Sequence, residues 1–106
     1  MMIIIPISPL SVNKAWQGQR YKTKDYKIYE EVILWQLPNN YVVPEGDLVI
    51  YLEFGMSNKL SDWDNPIKPF VDILQKKYDF NDNRIVEANV KKVKVLKGKE
   101  YIKFSF

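Results

Sequence analysis

The feature that most limits what this chain can fold into is a run of period two near its middle. Leu48, Ile50, Leu52, Phe54 and Met56 alternate with Val49, Tyr51, Glu53 and Gly55. Successive residues of a strand point to opposite faces, so the run predicts a strand with one clearly apolar face. That face needs a second layer to cover it. Helical spacing appears on both sides. From Lys24 to Gln36, Ile28, Val32 and Trp35 recur at helical intervals, with Tyr29, Ile33 and Leu37 beside them. Thr23 stands at the N-cap position, and Pro38-Asn39-Asn40 ends the helix. A second helix is expected from Asn65 to Tyr78, with Asn65 as cap, Pro66 first in the helix, and Phe70, Ile73 and Leu74 facing the core. Pro69 falls where the first intrahelical N–H should donate, so the first turn is expected to be irregular or to start a residue or two later.

The remaining elements complete the order. Residues 2–7 read as a first strand, closed by the turn-forming Ser8-Pro9-Leu10-Ser11, and Val12 to Thr23 as a polar loop. Arg84 to Leu96 reads as a long strand with Val86, Ala88 and Val90 on one face, and a phase shift at Lys91-Lys92 predicts a bulge there. Lys97-Gly98-Lys99 returns the chain into Tyr101 to Phe106. The expectation is a single α+β domain over residues 1–106, in the order β-α-β-α-β-β, with a mixed sheet and two helices.

Composition narrows the chemistry. There is no cysteine and no histidine, which removes disulfides, thiolate zinc sites and the commonest general base. Any metal must be held by oxygen, which points to Mg²⁺, with Mn²⁺ as a substitute. The apolar opening Met1 to Ile7 is far too short for a membrane span and lacks the basic start of a signal peptide, so a cytoplasmic protein is expected. The net charge of +3 conceals a division: residues 1–30 and 84–106 are basic, and residues 31–83 are acidic. Basic flanks around an acidic centre suit a protein that holds polyphosphate at its ends and metal in its middle. Charge alone favours the plainer reading of solvated lysine-rich faces.

The acidic residues carry the sharpest signal. Asp62 and Asp64 lie between strand and helix. In an extended segment both would point one way, with Trp63 on the other side as an apolar anchor. Two like charges held together call for a cation or a shared proton. Lys68 lies one helical turn beyond Asp64, where it can neutralise a phosphate oxygen or position the attacking water. Asp72, four residues further on, has an ordinary reading as an i,i+4 partner of Lys68. Asp82 comes at the next loop-to-strand boundary and is the candidate third ligand. Taken singly, each acid has a capping or turn explanation.

Together the residues resemble a known family. The run Asp62-x-Asp64-Asn65-x-x-Lys68-x-x-x-Asp72-x-Leu74, followed by Asn81-Asp82-x-x-Ile85, is similar to the RusA family of Holliday-junction endonucleases. Pro9-x-Ser11-x-Asn13-x-x-Trp16, with Arg20 and Lys22 downstream, resembles that family's opening motif. The resemblance implies a RusA-like fold and a homodimeric, Mg²⁺-dependent enzyme of DNA recombination and repair that nicks strands of opposite polarity at four-way junctions. It implies acidic metal ligands at Asp62, Asp64 and Asp82, an essential lysine at Lys68, and 3′-hydroxyl and 5′-phosphate products. A compact chain of this kind is expected from a phage or prophage, working in a bacterial host or phage-infected cell. One departure stands out: Asn81 occupies a position where family members often carry a second acid, which weakens a second metal position.

Around the site, Asn13, Asn65 and Asp72 are candidate supports, with Asx turn, helix cap and ion pair as their ordinary readings. Lys14, Arg20, Lys22, Lys24, Lys91, Lys92 and Lys94 are candidate contacts to the DNA backbone. Trp16 or Tyr21 could wedge into an opened junction, although packing against the sheet is the simpler reading of Trp16. The aromatic C-terminal strand is either a dimer interface or an internal edge strand. Two other functions compete: a general branched-DNA or single-strand nickase, and a non-catalytic nucleic-acid-binding protein. A plain binder has no use for negative charge facing DNA.

Overall fold

Residues 2–11, 16–17, 21–58 and 62–106 are described by a computed structural model, with backbone alone at 16, 17 and 21. The elements are β1 (Ile3–Ile5), a short hairpin of β2 (Trp16–Gln17) and β3 (Tyr21–Lys22), α1 (Lys24–Gln36), β4 (Leu48–Met56), α2 (Ile67–Tyr78), β5 (Ile85–Lys94) and β6 (Tyr101–Ser105). Four strands form one mixed sheet in the order β1-β6-β4-β5, with β4 parallel to β5 and β6 antiparallel to both β1 and β4. The α+β architecture, with two α-helices among the described residues, is as expected. The β2–β3 hairpin is an addition, lying where the sequence suggested only a polar loop.

Strand β4 keeps its alternation. Leu48, Ile50, Leu52, Phe54 and Met56 are buried beneath the helices. On the opposite face Val49 is exposed, whereas Glu53 is buried among its cross-strand neighbours. Its carboxylate accepts hydrogen bonds from Tyr51 (2.6 Å) and Tyr101, with the Lys103 ammonium at 3.6 Å.

The first helix has the expected bounds and cap, with Thr23 Oγ1 accepting from the Tyr26 N–H at 3.2 Å. Of its two periodic stripes, the structure buries the one with Tyr29, Ile33 and Leu37. Tyr26, Tyr29, Ile33 and Leu37 face the core, while Ile28 and Val32 turn outward and Trp35 is 85% exposed. Both stripes have helical spacing, so periodicity could not choose between them. The tyrosine stripe supplies more aromatic area, and the Tyr26 hydroxyl reaches the Pro69 carbonyl at 3.5 Å.

Helix α2 begins at Ile67, later than Asn65, and Pro66 precedes it without a side-chain capping bond. The late start resolves the awkward proline. Pro69 becomes the third helical residue, where an N–H would have no intrahelical acceptor. Phe70, Ile73 and Leu74 are buried as expected, and the Phe70 ring meets Phe54 and Phe104 edge-on at 6.4 and 5.6 Å.

Strand β5 runs without a break through Lys91-Lys92. The register slip lies at its start, where Leu48 pairs with Ile85 and Val49 with Glu87, leaving Val86 as the extra residue. Beyond it, Ala88, Val90, Lys92 and Lys94 pair with core-facing residues of β4, while Glu87, Asn89, Lys91 and Val93 pair with residues of the open face. The helix-side face of this edge strand is uncovered at Lys92 and Lys94, so lysine stands there without a break in phase. Strand β6 is paired on both edges, so it is an internal strand and not a free dimerisation edge. Among the described residues no helix is long and apolar enough to cross a membrane.

Candidate functional site

The approach to α2 is coiled, not extended. The Asn65 N–H donates to the Asp62 carbonyl at 3.3 Å and the Ile67 N–H to the Asp64 carbonyl at 3.2 Å, making two overlapping turns. The premise that Asp62 and Asp64 project side by side from an extended segment is therefore not met. Trp63 is 58% exposed and anchors nothing beneath them. Asn65 serves the turn through its backbone instead of capping the helix.

These turns set Asp64 on the rim of a cavity of about 420 Å³. Ile50 and Leu52 from β4, Ile85 and Ala88 from β5, and Ile67 and Val71 from α2 give it apolar walls. Asp64, Lys68 and Asp82 supply its charged groups. Asp62 is exposed and lies outside this lining. Neither Asp64 nor Asp82 makes a side-chain hydrogen bond or ion pair among the described residues, so both carboxylates are available to a ligand.

Asp82 opens a 3₁₀ turn held from three directions. The Asn81 side chain accepts from the Asn83 N–H at 2.9 Å. The Arg84 guanidinium donates to the carbonyls of Gly46, at 2.9 Å, and Pro44, tying the turn to the loop before β4. The Gln75 side-chain carbonyl accepts from the Asp82 N–H at 2.9 Å, tying it to α2. Asn81 thus works as the turn's cap in the place where an acid was expected by resemblance.

Lys68 pairs with Asp72 at 2.7 Å, and Asp72 also accepts from Gln75 at 3.3 Å. The bond to Asp72, helped by the charge of Asp82, raises the Lys68 ammonium above its ordinary pKa against the opposing effect of burial. Lys68 is therefore a fixed cation beside two carboxylates. The i,i+4 reading of the Lys68–Asp72 pair holds, and through Lys68 the pair reaches the cavity.

Among the described residues no three acidic side chains gather into a metal-holding group. Two carboxylates do face one cavity, and Mg²⁺ is commonly held by one or two carboxylates, with water and substrate phosphate completing its shell. Asp64 and Asp82, both oxygen donors without a side-chain partner among the described residues, fit that requirement.

Among the described residues the basic side chains do not form one patch. Lys22 is engaged within the protein, pairing with Glu30 at 3.1 Å and lying over the Tyr26 ring at 5.0 Å. Glu30 also takes Lys76 at 3.0 Å. Lys24 is exposed at the start of α1. Lys92 and Lys94 share the face of the sheet that carries the cavity, whereas Lys91 lies on the opposite face, alongside Glu53. Asn13, Lys14, Arg20 and the side chains of Trp16 and Tyr21 lie outside the described residues.

Sequence reasoning passed over Gln75 and Arg84. Gln75 continues the series Lys68, Asp72, Gln75 at helical intervals, which is a legible signal for a shared face. Arg84 carried none, because its acceptors are carbonyls of a distant loop. No family model matches this chain, and no curated protein matches it either.

Proposed function

We propose that the chain is a Mg²⁺-dependent endodeoxyribonuclease of the RusA type, which resolves four-way DNA junctions by paired nicks. The observation that carries the metal-dependent part is the convergence of Asp64 and Asp82, from opposite ends of α2, with Lys68 on one apolar-walled cavity. The choice of a four-way junction rests on the resemblance of the three motifs.

In this reading Asp64 and Asp82 would hold the ion, and Asp62, outside the cavity lining, is not among its ligands. When bound, Mg²⁺ polarises the scissile phosphate and makes a water acidic enough to attack it. A carboxylate accepts the proton of the attacking water, a task that falls to acids in a chain without histidine. Lys68, kept charged by Asp72, offsets the negative charge that builds on the phosphate oxygens. Water adds to phosphorus and the bond to the 3′ oxygen breaks, leaving 3′-hydroxyl and 5′-phosphate ends. A second copy of the chain supplies the second nick, with the symmetry of a homodimer matching that of the junction.

The test is incubation of the pure protein with labelled four-way junction, matched duplex and single strand, with and without Mg²⁺. Symmetric nicks on the junction alone are expected. Equal cutting of all three substrates would replace the resolvase reading with a general nickase. Asp64→Asn is expected to lower cleavage by at least about 100-fold, at the scale of losing a group that stabilises developing charge. It should leave the melting temperature within a few degrees and keep junction binding in the absence of metal. Unchanged cleavage would show that the ion is held elsewhere.

A further inference from the structure

Resting on the nuclease reading above, we infer that Gln75 is a positioning residue, whose side-chain amide sets Asp82 and the Lys68–Asp72 pair relative to one another. The two halves of the site come from different elements. Lys68 and Asp72 belong to α2, while Asp82 belongs to the 3₁₀ turn after it. Gln75 is the group that touches both. Its Nε2 donates to Asp72 Oδ1 at 3.3 Å, and its Oε1 accepts from the Asp82 N–H at 2.9 Å.

Only one orientation of the amide satisfies both neighbours. Reversed, it would set a carbonyl against the Asp72 carboxylate and an NH₂ against the Asp82 N–H, losing two bonds and creating two repulsions. The chemistry of the neighbours thus fixes the side chain. Asp72, which already accepts from Lys68 at 2.7 Å, holds one end, and the backbone of the candidate ligand holds the other. A shift of Asp82 would be felt at Lys68 through this connection. Gln75 does not line the cavity, so its effect is exerted through the residues it holds.

Groups of this kind, standing behind the ligands, typically change metal affinity or activity by about 10- to 100-fold when removed. The experiment uses Gln75→Leu, which keeps the bulk and loses both bonds, and Gln75→Glu, which keeps an acceptor for the Asp82 N–H. Three quantities are measured for each and for the unaltered protein: the Mn²⁺ dissociation constant without DNA, the kcat and KM for junction cleavage, and the thermal midpoint. For Gln75→Leu the expected result is Mn²⁺ binding weakened by about tenfold or more and a comparable fall in kcat. KM and the thermal midpoint should change little. Gln75→Glu keeps the acceptor but sets a carboxylate against Asp72, so its kcat should fall as well with KM and the thermal midpoint little changed, a split that a merely structural role would not predict. If the unaltered protein binds Mn²⁺ and cuts junctions while Gln75→Leu stays within twofold on both, the positioning role is overturned and the nuclease reading stands. Should Gln75→Leu fail to fold, a folded Gln75→Glu variant whose kcat stays within twofold of the unaltered protein would overturn it as well. If the unaltered protein neither binds Mn²⁺ nor cuts DNA, the nuclease reading falls and takes the positioning role with it.

Discussion

Glu53 is the residue at which the two faces of the sheet differ most in chemistry. On the helix side its neighbours Leu52 and Phe54 are fully buried hydrocarbon. On the other side its carboxylate is kept ionised by hydrogen bonds from Tyr101 and then Tyr51, which hold it below the ordinary carboxylate range. The same bond pushes the Tyr101 hydroxyl up to about 12. The two shifts give opposite pH dependences. A carboxyl whose folded pKa is depressed contributes stability above its unfolded value, near 4.5, and loses it as pH falls through the folded pKa. A tyrosine whose folded pKa is raised contributes fully below its unfolded value of 10.0 and loses that contribution as pH rises toward 12. Glu53→Gln is expected to cost about 1–2 kcal/mol at neutral pH, the scale of a hydrogen bond to a charged group. Its difference from the unaltered protein should shrink at both pH extremes. Urea unfolding from pH 3 to 11 measures this, and a constant difference would contradict it. The acid Glu53 and its same-face neighbour Tyr51 were visible in the sequence, but Tyr101 and Lys103 were not, because they reach it only through the pairing of β4 with β6.

At the scale of elements, the close approach of those two strands depends on one small residue. Gly55 pairs with Tyr101, and a Cβ at Gly55 would overlap the Tyr101 ring. The ring cannot swing aside freely, since its hydroxyl is bonded to Glu53. Gly55→Ala is therefore expected to destabilise the domain by about 1–3 kcal/mol, the usual range for overpacking. Calorimetry checks it, and a stabilised variant would show that Tyr101 moves at no cost. The helices show how much local chemistry can specify. The bounds and cap of α1 were legible because Thr23 and Pro38 act on their own neighbours. Its buried face was not, since the stripes Ile28-Val32-Trp35 and Tyr26-Tyr29-Ile33 are both periodic and only the position of α2 and the sheet decides between them. For α2, Pro69 announced the irregular start, and the turns from Asp62 to Ile67 supplied it.

For the whole molecule, the question is where a long anionic ligand can lie. Both helices and the cavity are on one face of the sheet, and Lys92 and Lys94 extend that face along its edge strand. Lys91 points away from it. Lys92→Gln and Lys94→Gln are expected to weaken junction binding and to lower the slope of log affinity against log salt by about 1 each. Lys91→Gln should leave the slope nearly unchanged. Equal effects from all three, measured by salt titration of binding, would mean that the DNA lies elsewhere. The sequence by itself determined the period-two core strand and the two helices, left only oxygen donors for any metal, and offered Asp62, Asp64, Lys68 and Asp82 as candidates. Each of these follows from residue type and spacing along the chain. Only the tertiary structure decided that Asp64 and Asp82 share a cavity while Asp62 stands outside it, that Gln75 and Arg84 hold the Asp82 turn, and that neighbouring lysines part to opposite faces. The reason is physical: these relations depend on turns that redirect single side chains and on a one-residue register slip, and both are settled by contacts between segments far apart in the chain.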